Sequence, residues 1–173
     1  MVTAESVQTA KVLWRQPLWD FSCSLYESEK LKTLLHRLQD EYGANINIIF
    51  WCVWLEVNEI DISKETIDDV LIAVDSVSQT TVSKVRELRN HIKSTELFTR
   101  VQTKMICKHL SGAELLIEKI LIQRLQDLSE RFAEVMPDSF DPMSLEFYLE
   151  FLGIPASYEK ARGIVSYCQK NVA

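Results

Sequence analysis

Asn47 is the first residue in this chain whose setting suggests chemistry. Within Ile46–Leu55, otherwise entirely apolar, it sets one amide four residues from Trp51 and seven from Trp54. On a helix that spacing places all three on one face. A buried amide with no partner costs about 1–3 kcal/mol. Two arrangements would meet its needs. Asn47 bonds a backbone group or a nearby polar side chain such as Gln39 or Asp40, or it orients a small ligand in a pocket walled by the two indoles. The second arrangement makes Asn47, Trp51 and Trp54 the candidate ligand-binding residues.

A second constellation is electrostatic. Between Lys84 and Lys108 there are seven Lys and Arg against Glu87 and Glu96, a local charge of +5. Arg86, Arg89 and Lys93 share a helical face and form a candidate basic patch, and Arg100, Lys104 and Lys108 repeat at every fourth residue. Such a patch can meet phosphates or an acidic partner. From Asp127 to Glu150 seven acids stand against Arg131, a local −6. Opposite blocks of this size are expected to neutralise one another across helices or to be solvated. Nucleic acid is accordingly an unfavoured partner, in keeping with a net charge of −6 and a pI near 5.1.

Other reactive types lack a pattern. His36, His91 and His109 belong to no HExxH or Glu-x-x-His motif. Cys23, Cys52, Cys107 and Cys168 form no CxxC pair, and each sits in an apolar stretch, so four reduced, buried thiols are expected. The acids from Glu56 through Glu59, Asp61, Glu65, Asp68, Asp69 and Asp75 resemble a magnesium site only loosely and read as a solvated helix face. No glycine-rich phosphate loop occurs. No cofactor and no metal are expected.

The elements that must position these residues are helices. Pro17 suits a first helical turn, and Leu18, Phe21 and Leu25 follow at helical spacing. Ser28 caps the next helix, with Leu31, Leu34, Leu35, Leu38 and Tyr42 on one side and Gly43 as its stop. Asn45 caps a helix over 45–57 that is apolar all round, the mark of a helix covered on every side. Ser63 caps another, with Ile67, Val70, Leu71, Val74 and Val77 inward, and Gln79–Thr81 breaks it before the basic helix carrying Val82, Val85, Leu88 and Ile92. From Thr95 to Val135 apolar residues recur without a proline, giving one long helix or two meeting at Ser111–Gly112. Residues 1–13 read as a frayed lead-in. Pro137 ends the long helix, Asp138 to Asp141 reads as a linker, Pro142 sits at the first turn of a short helix apolar nearly all round, Met143 to Leu152, and Ala156 to Lys170 reads as a last amphipathic helix.

Composition agrees. The 173 residues are 47% hydrophobic and 25% charged, with only four glycines and four prolines, which disfavours disorder and turn-rich β folds. The longest apolar run, Ile48–Leu55, is too short to span a bilayer. The start of the chain lacks the basic-then-apolar pattern of a secretory signal, so no membrane association and a cytoplasmic location are expected.

Several stretches look familiar. Leu18-Trp19-Asp20-Phe21-Ser22 with Tyr26, Leu38-Gln39-Asp40, Gly43-Ala44-Asn45-Ile46-Asn47 and Phe50-Trp51-Cys52-Val53-Trp54-Leu55 resemble a small, mainly proteobacterial family, domain of unknown function family 2390. Looser likeness runs through Val85–Arg89 and Ala113–Glu118, covering roughly residues 14–130. The resemblance implies an intracellular helical protein and no catalytic residues.

The expected architecture is an all-α, single-domain bundle of about seven helices, buried at its centre near 45–57 and held along a long helix near 95–135. Residues 1–136 form its core and 137–173 a C-terminal helical extension packed on it. The leading function is a non-enzymatic protein-interaction or adaptor protein, self-association included, with Phe147 and Phe151 on the tail helix as the candidate interface. The alternative is a small-molecule-binding protein or cryptic enzyme with its pocket beside Asn47, Trp51 and Trp54.

Overall fold

Side-chain caps open several of the helices. Ser28 Oγ accepts from the Leu31 N–H, Asn45 Oδ1 from the Asn47 N–H and Ser63 Oγ from the Thr66 N–H. Gly43 closes the second helix in a left-handed turn at φ 71°, its N–H returning to the Gln39 carbonyl. The structure is a computed structural model that describes residues 16–132 and 143–171. These residues form eight helices: α1 Leu18–Tyr26, α2 Glu29–Tyr42, α3 Ile46–Val57, α4 Lys64–Thr80, α5 Val82–Ser94, α6 Arg100–Phe132, α7 Ser144–Phe151 and α8 Ser157–Asn171. No β-strand occurs among the described residues, and the all-α bundle expected from periodicity is the fold.

Helix α3 is the centre. Every residue from Ile48 to Glu56 is buried, because α1, α2, α6, α7 and α8 pack around it. Trp51 and Trp54 are wholly enclosed, and both indole N–H groups are satisfied. Trp51 donates to Ser129 Oγ of α6 at 2.7 Å and Trp54 to the Gln16 carbonyl at 2.9 Å. The N-terminus of α1 is tied to α6 as well, with Leu18 N–H donating to Gln126 Oε1.

Helices α7 and α8 share this core. Leu145, Tyr148 and Leu149 are fully buried with Ile154, Ala161, Ile164, Val165 and Cys168 in the same apolar cluster as α3. Two polar contacts fix α7 on α3. The Glu56 carboxylate accepts from the Leu145 N–H at 2.8 Å, and the Tyr148 hydroxyl accepts from the Asn45 N–H at 2.7 Å. The tail helix is therefore not the free apolar surface expected from its sequence: one side is core, Phe147 is half-buried against it with Lys64 over its ring, and Phe151 alone of the two remains exposed.

Of the two alternatives for the long segment, the single helix is found, since α6 runs unbroken through Ser111–Gly112. Other expectations need correction. Helix α6 begins at Arg100, after a turn, and not at Thr95. Of the four cysteines, Cys52 and Cys168 are buried, Cys107 is half-buried and Cys23 is exposed, because α1 turns it away from α3. Val77 is exposed rather than inward, and Leu88 of α5 is exposed as well. Glu56 belongs to no solvated face, since α7 covers it. The lead-in 1–13 and the linker Asp138–Asp141 lie outside the described residues.

Candidate functional site

Between α1–α3 on one side and α4–α6 on the other lies an open cleft of about 980 Å³. Asn47 lines it, together with Gln39 and Asp40. Trp51 and Trp54 do not: three residues of one helix stripe diverge here because the N-terminal turn of α3 reaches the cleft while the next two turns run into the core. The aromatic wall comes instead from Trp19 and Tyr26 of α1 and Phe50 of α3. The Tyr26 hydroxyl lies 3.0 Å from His36 Nε2, and its ring meets Phe50 edge-on. Trp19 and Tyr26 were readable in the sequence as one side of a short helix, but nothing there said which side faced a cavity.

The opposite wall is an ion-pair cluster. Arg86 holds Glu114 at 2.8 Å and Glu118 at 3.5 Å, and Arg89 holds Glu114 at 3.2 Å. The basic patch is thus divided. Arg86 and Arg89 turn into the cleft and are neutralised by α6, whereas Lys93, a turn further along, is exposed. Neutralisation across helices was foreseen, but its partners are Glu114 and Glu118 and not the acids of 127–150. Arg89 Nε is buried without a hydrogen-bond partner, one donor left unmet by this geometry.

Burial sets the acid–base character of the cleft. Desolvation pushes the Glu118 carboxyl above its ordinary range, with Arg86 opposing and Glu114 adding to the shift. Asp75 of α4 is raised the same way, with the Asn45 side chain holding it back through a hydrogen bond. Cys23 Sγ, on the rim, is also pushed up, first by burial and then by Asp20, which keeps it a thiol and makes it a poor nucleophile. The histidines His36, His91 and His109 are all exposed. Among the described residues no three His, Cys, Asp or Glu side chains gather as a metal site would require.

A second feature lies away from the cleft. Helices α5 and α6 form a hairpin, and in it nothing between Val85 and Ala113 is buried. Val85, Ile92, Ile106, Cys107 and Leu110 are only half-covered by the facing helix. Leu97 in the turn and Val101 and Met105 on α6 are 81%, 75% and 60% exposed, and Val101 and Met105 share one face of α6 with Gly112. The recurrence of apolar residues along 95–120 looked like a core stripe in sequence. In the structure most of it meets solvent, Leu115, Leu116 and Ile120 included, and buried apolar residues of α6 begin only at Leu121.

No described helix is long and apolar enough to cross a membrane. Comparison with curated proteins and with solved structures gave no match. A family described as Protein of unknown function (DUF2390) matches residues 17–125, which takes in α1 to α5, most of α6 and every wall of the cleft. With well over half its length matched, from the first helix to the spine, the chain belongs to that family.

Proposed function

We propose that this chain is a non-enzymatic protein-interaction protein that docks through the α5–α6 hairpin, its partner a second copy of itself. The observation that carries the reading is the exposed run Leu97, Val101 and Met105 at the outer end of a hairpin in which no residue from Val85 to Ala113 is buried. Isolated surface apolar residues need no explanation, but a run of them on a thin two-helix arm leaves the arm with little core of its own. Covering that run would complete the arm's packing.

Charge favours a second copy. The hairpin region 84–108 carries +5, whereas the rest of the chain has 12 Lys and Arg against 23 Asp and Glu, a balance of −11. Two hairpins laid against each other would oppose like charges. An exchange in which each hairpin lies on the acidic body of the other copy pairs opposite charges and closes with two-fold symmetry. Nucleic acid is a poorer fit, since Arg86 and Arg89 already hold Glu114 and Glu118. A cytoplasmic setting goes with this reading, the four cysteines all being free.

Sedimentation equilibrium tests it. At tens of micromolar the chain should be a dimer that weakens as salt is added. Val101→Glu with Met105→Glu should give a monomer of unchanged helical content, because both side chains are exposed. A wild-type monomer throughout, or dissociation by Phe151→Glu in place of the hairpin pair, would overturn the reading.

A further inference from the structure

We propose that the cleft between α1–α3 and α4–α6 is a binding site for a small organic polyamine. This site is separate from hairpin docking and does not depend on it. Five carboxylates face the cleft against Lys32, Arg86 and Arg89, leaving it two negative charges in excess with His36 neutral. The arginines offer little to an anion. Arg86 and Arg89 are held by Glu114 and Glu118, and the one unmet donor, Arg89 Nε, is sealed from solvent.

Away from that cluster, Asp40 of α2 and Asp75 of α4 have no ion-pair partner among the described residues. Beside them Gln39 and Asn47 bring amide oxygens that can accept from N–H donors. The aromatic wall adds the remaining element of ammonium recognition, a ring face. Both rings take an ammonium of the chain itself: Lys32 Nζ lies 5.4 Å from the Tyr26 ring centre, and Lys119, which does not line the cleft, has its Nζ 5.3 Å from that of Trp19. Carboxylates, amide acceptors and ring faces together select a cation with several N–H donors. A cleft of about 980 Å³ with acids on both walls suits an extended chain bearing more than one ammonium.

The test is calorimetric titration of spermidine into the full-length protein at low salt. Binding should saturate at one site per chain and raise the melting temperature. Asp75→Asn and Asp40→Asn should each weaken it by about tenfold, as expected for loss of a hydrogen bond to a charged group. Asp69→Asn, which removes the same charge from the exposed side of α4, should leave affinity unchanged. Asp40 is exposed, so its variant keeps the test valid should Asp75→Asn disturb the Asn45 contact. The proposal is overturned if spermidine does not bind, or if Asp69→Asn weakens it as much as the cleft variants. It is equally overturned if magnesium ion displaces spermidine at equal concentration, or if inorganic phosphate binds at the same place.

Discussion

Glu56 shows how much one side chain can be asked to do. It stands on the last turn of α3, buried, and its Oε1 takes the Leu145 N–H at 2.8 Å. That N–H belongs to the first turn of α7, where no intrahelical partner exists and where the helix dipole favours an acceptor. Glu56→Ala would leave the donor buried and unmet, so a loss of about 2–3 kcal/mol is expected in urea unfolding. Glu56→Gln keeps an acceptor of similar reach and should lose less. Equal losses in the two variants would mean that the contact is incidental. In the sequence Glu56 merely headed a run of acids, because the residue that needs it lies 89 positions away. Asn47 was legible as an odd amide, and the cleft it lines is real. Trp51 and Trp54 were legible as residues of a covered central helix, but not as absent from the cleft, since periodicity gives a shared stripe but not the depth at which each turn of that stripe lies.

Local signals placed the elements well wherever capping chemistry governs them. Ser28, Gly43, Asn45 and Ser63 each stand where a cap was expected, and each makes or permits the expected backbone bond. Helix α6 shows the limit of such signals. Gly112 was a plausible break, because glycine weakens a helix interior, yet the 33-residue helix passes straight through it. A Cβ built there meets no atom within 4 Å. Gly112→Ala should therefore stabilise the protein by about 0.5–1 kcal/mol through helix propensity alone. A rise in melting temperature at low protein concentration checks it. A fall would mean that the helix bends at Gly112 in solution and that the alanine opposes the bend. Helix α7 shows another limit. Its composition suggested an apolar patch on the side away from the core, but composition carries no record of which side α3 covers, and it is Leu145, Tyr148 and Leu149 that are buried while Phe151 is exposed.

At the scale of the whole molecule, the open question is whether the family-matched region stands alone. The match ends at residue 125, and a division after residue 136 would make α7 and α8 an extension on a finished core. The packing argues for a single cooperative unit. Helix α3 is apolar on all sides, and two of the helices that cover it are α7 and α8. Removing them would expose part of the Ile48–Leu55 surface, leave the Asn45 N–H without the Tyr148 hydroxyl, and leave Ser28 without its 2.7 Å bond to the Tyr167 hydroxyl. Each deleted core side chain, Leu145, Tyr148, Leu149, Ile164 and Val165 among them, contributes roughly 1.5–3 kcal/mol through burial. A domain of this size has a total stability of only about 5–15 kcal/mol, so their combined burial is comparable with the whole stability of the domain. A chain ending at residue 136 should keep helical circular dichroism, bind the dye ANS and melt without a cooperative transition, whereas the full chain should unfold in one step. Sharp, two-state melting of the shortened chain would establish residues 1–136 as an independent domain and reduce α7 and α8 to an attachment.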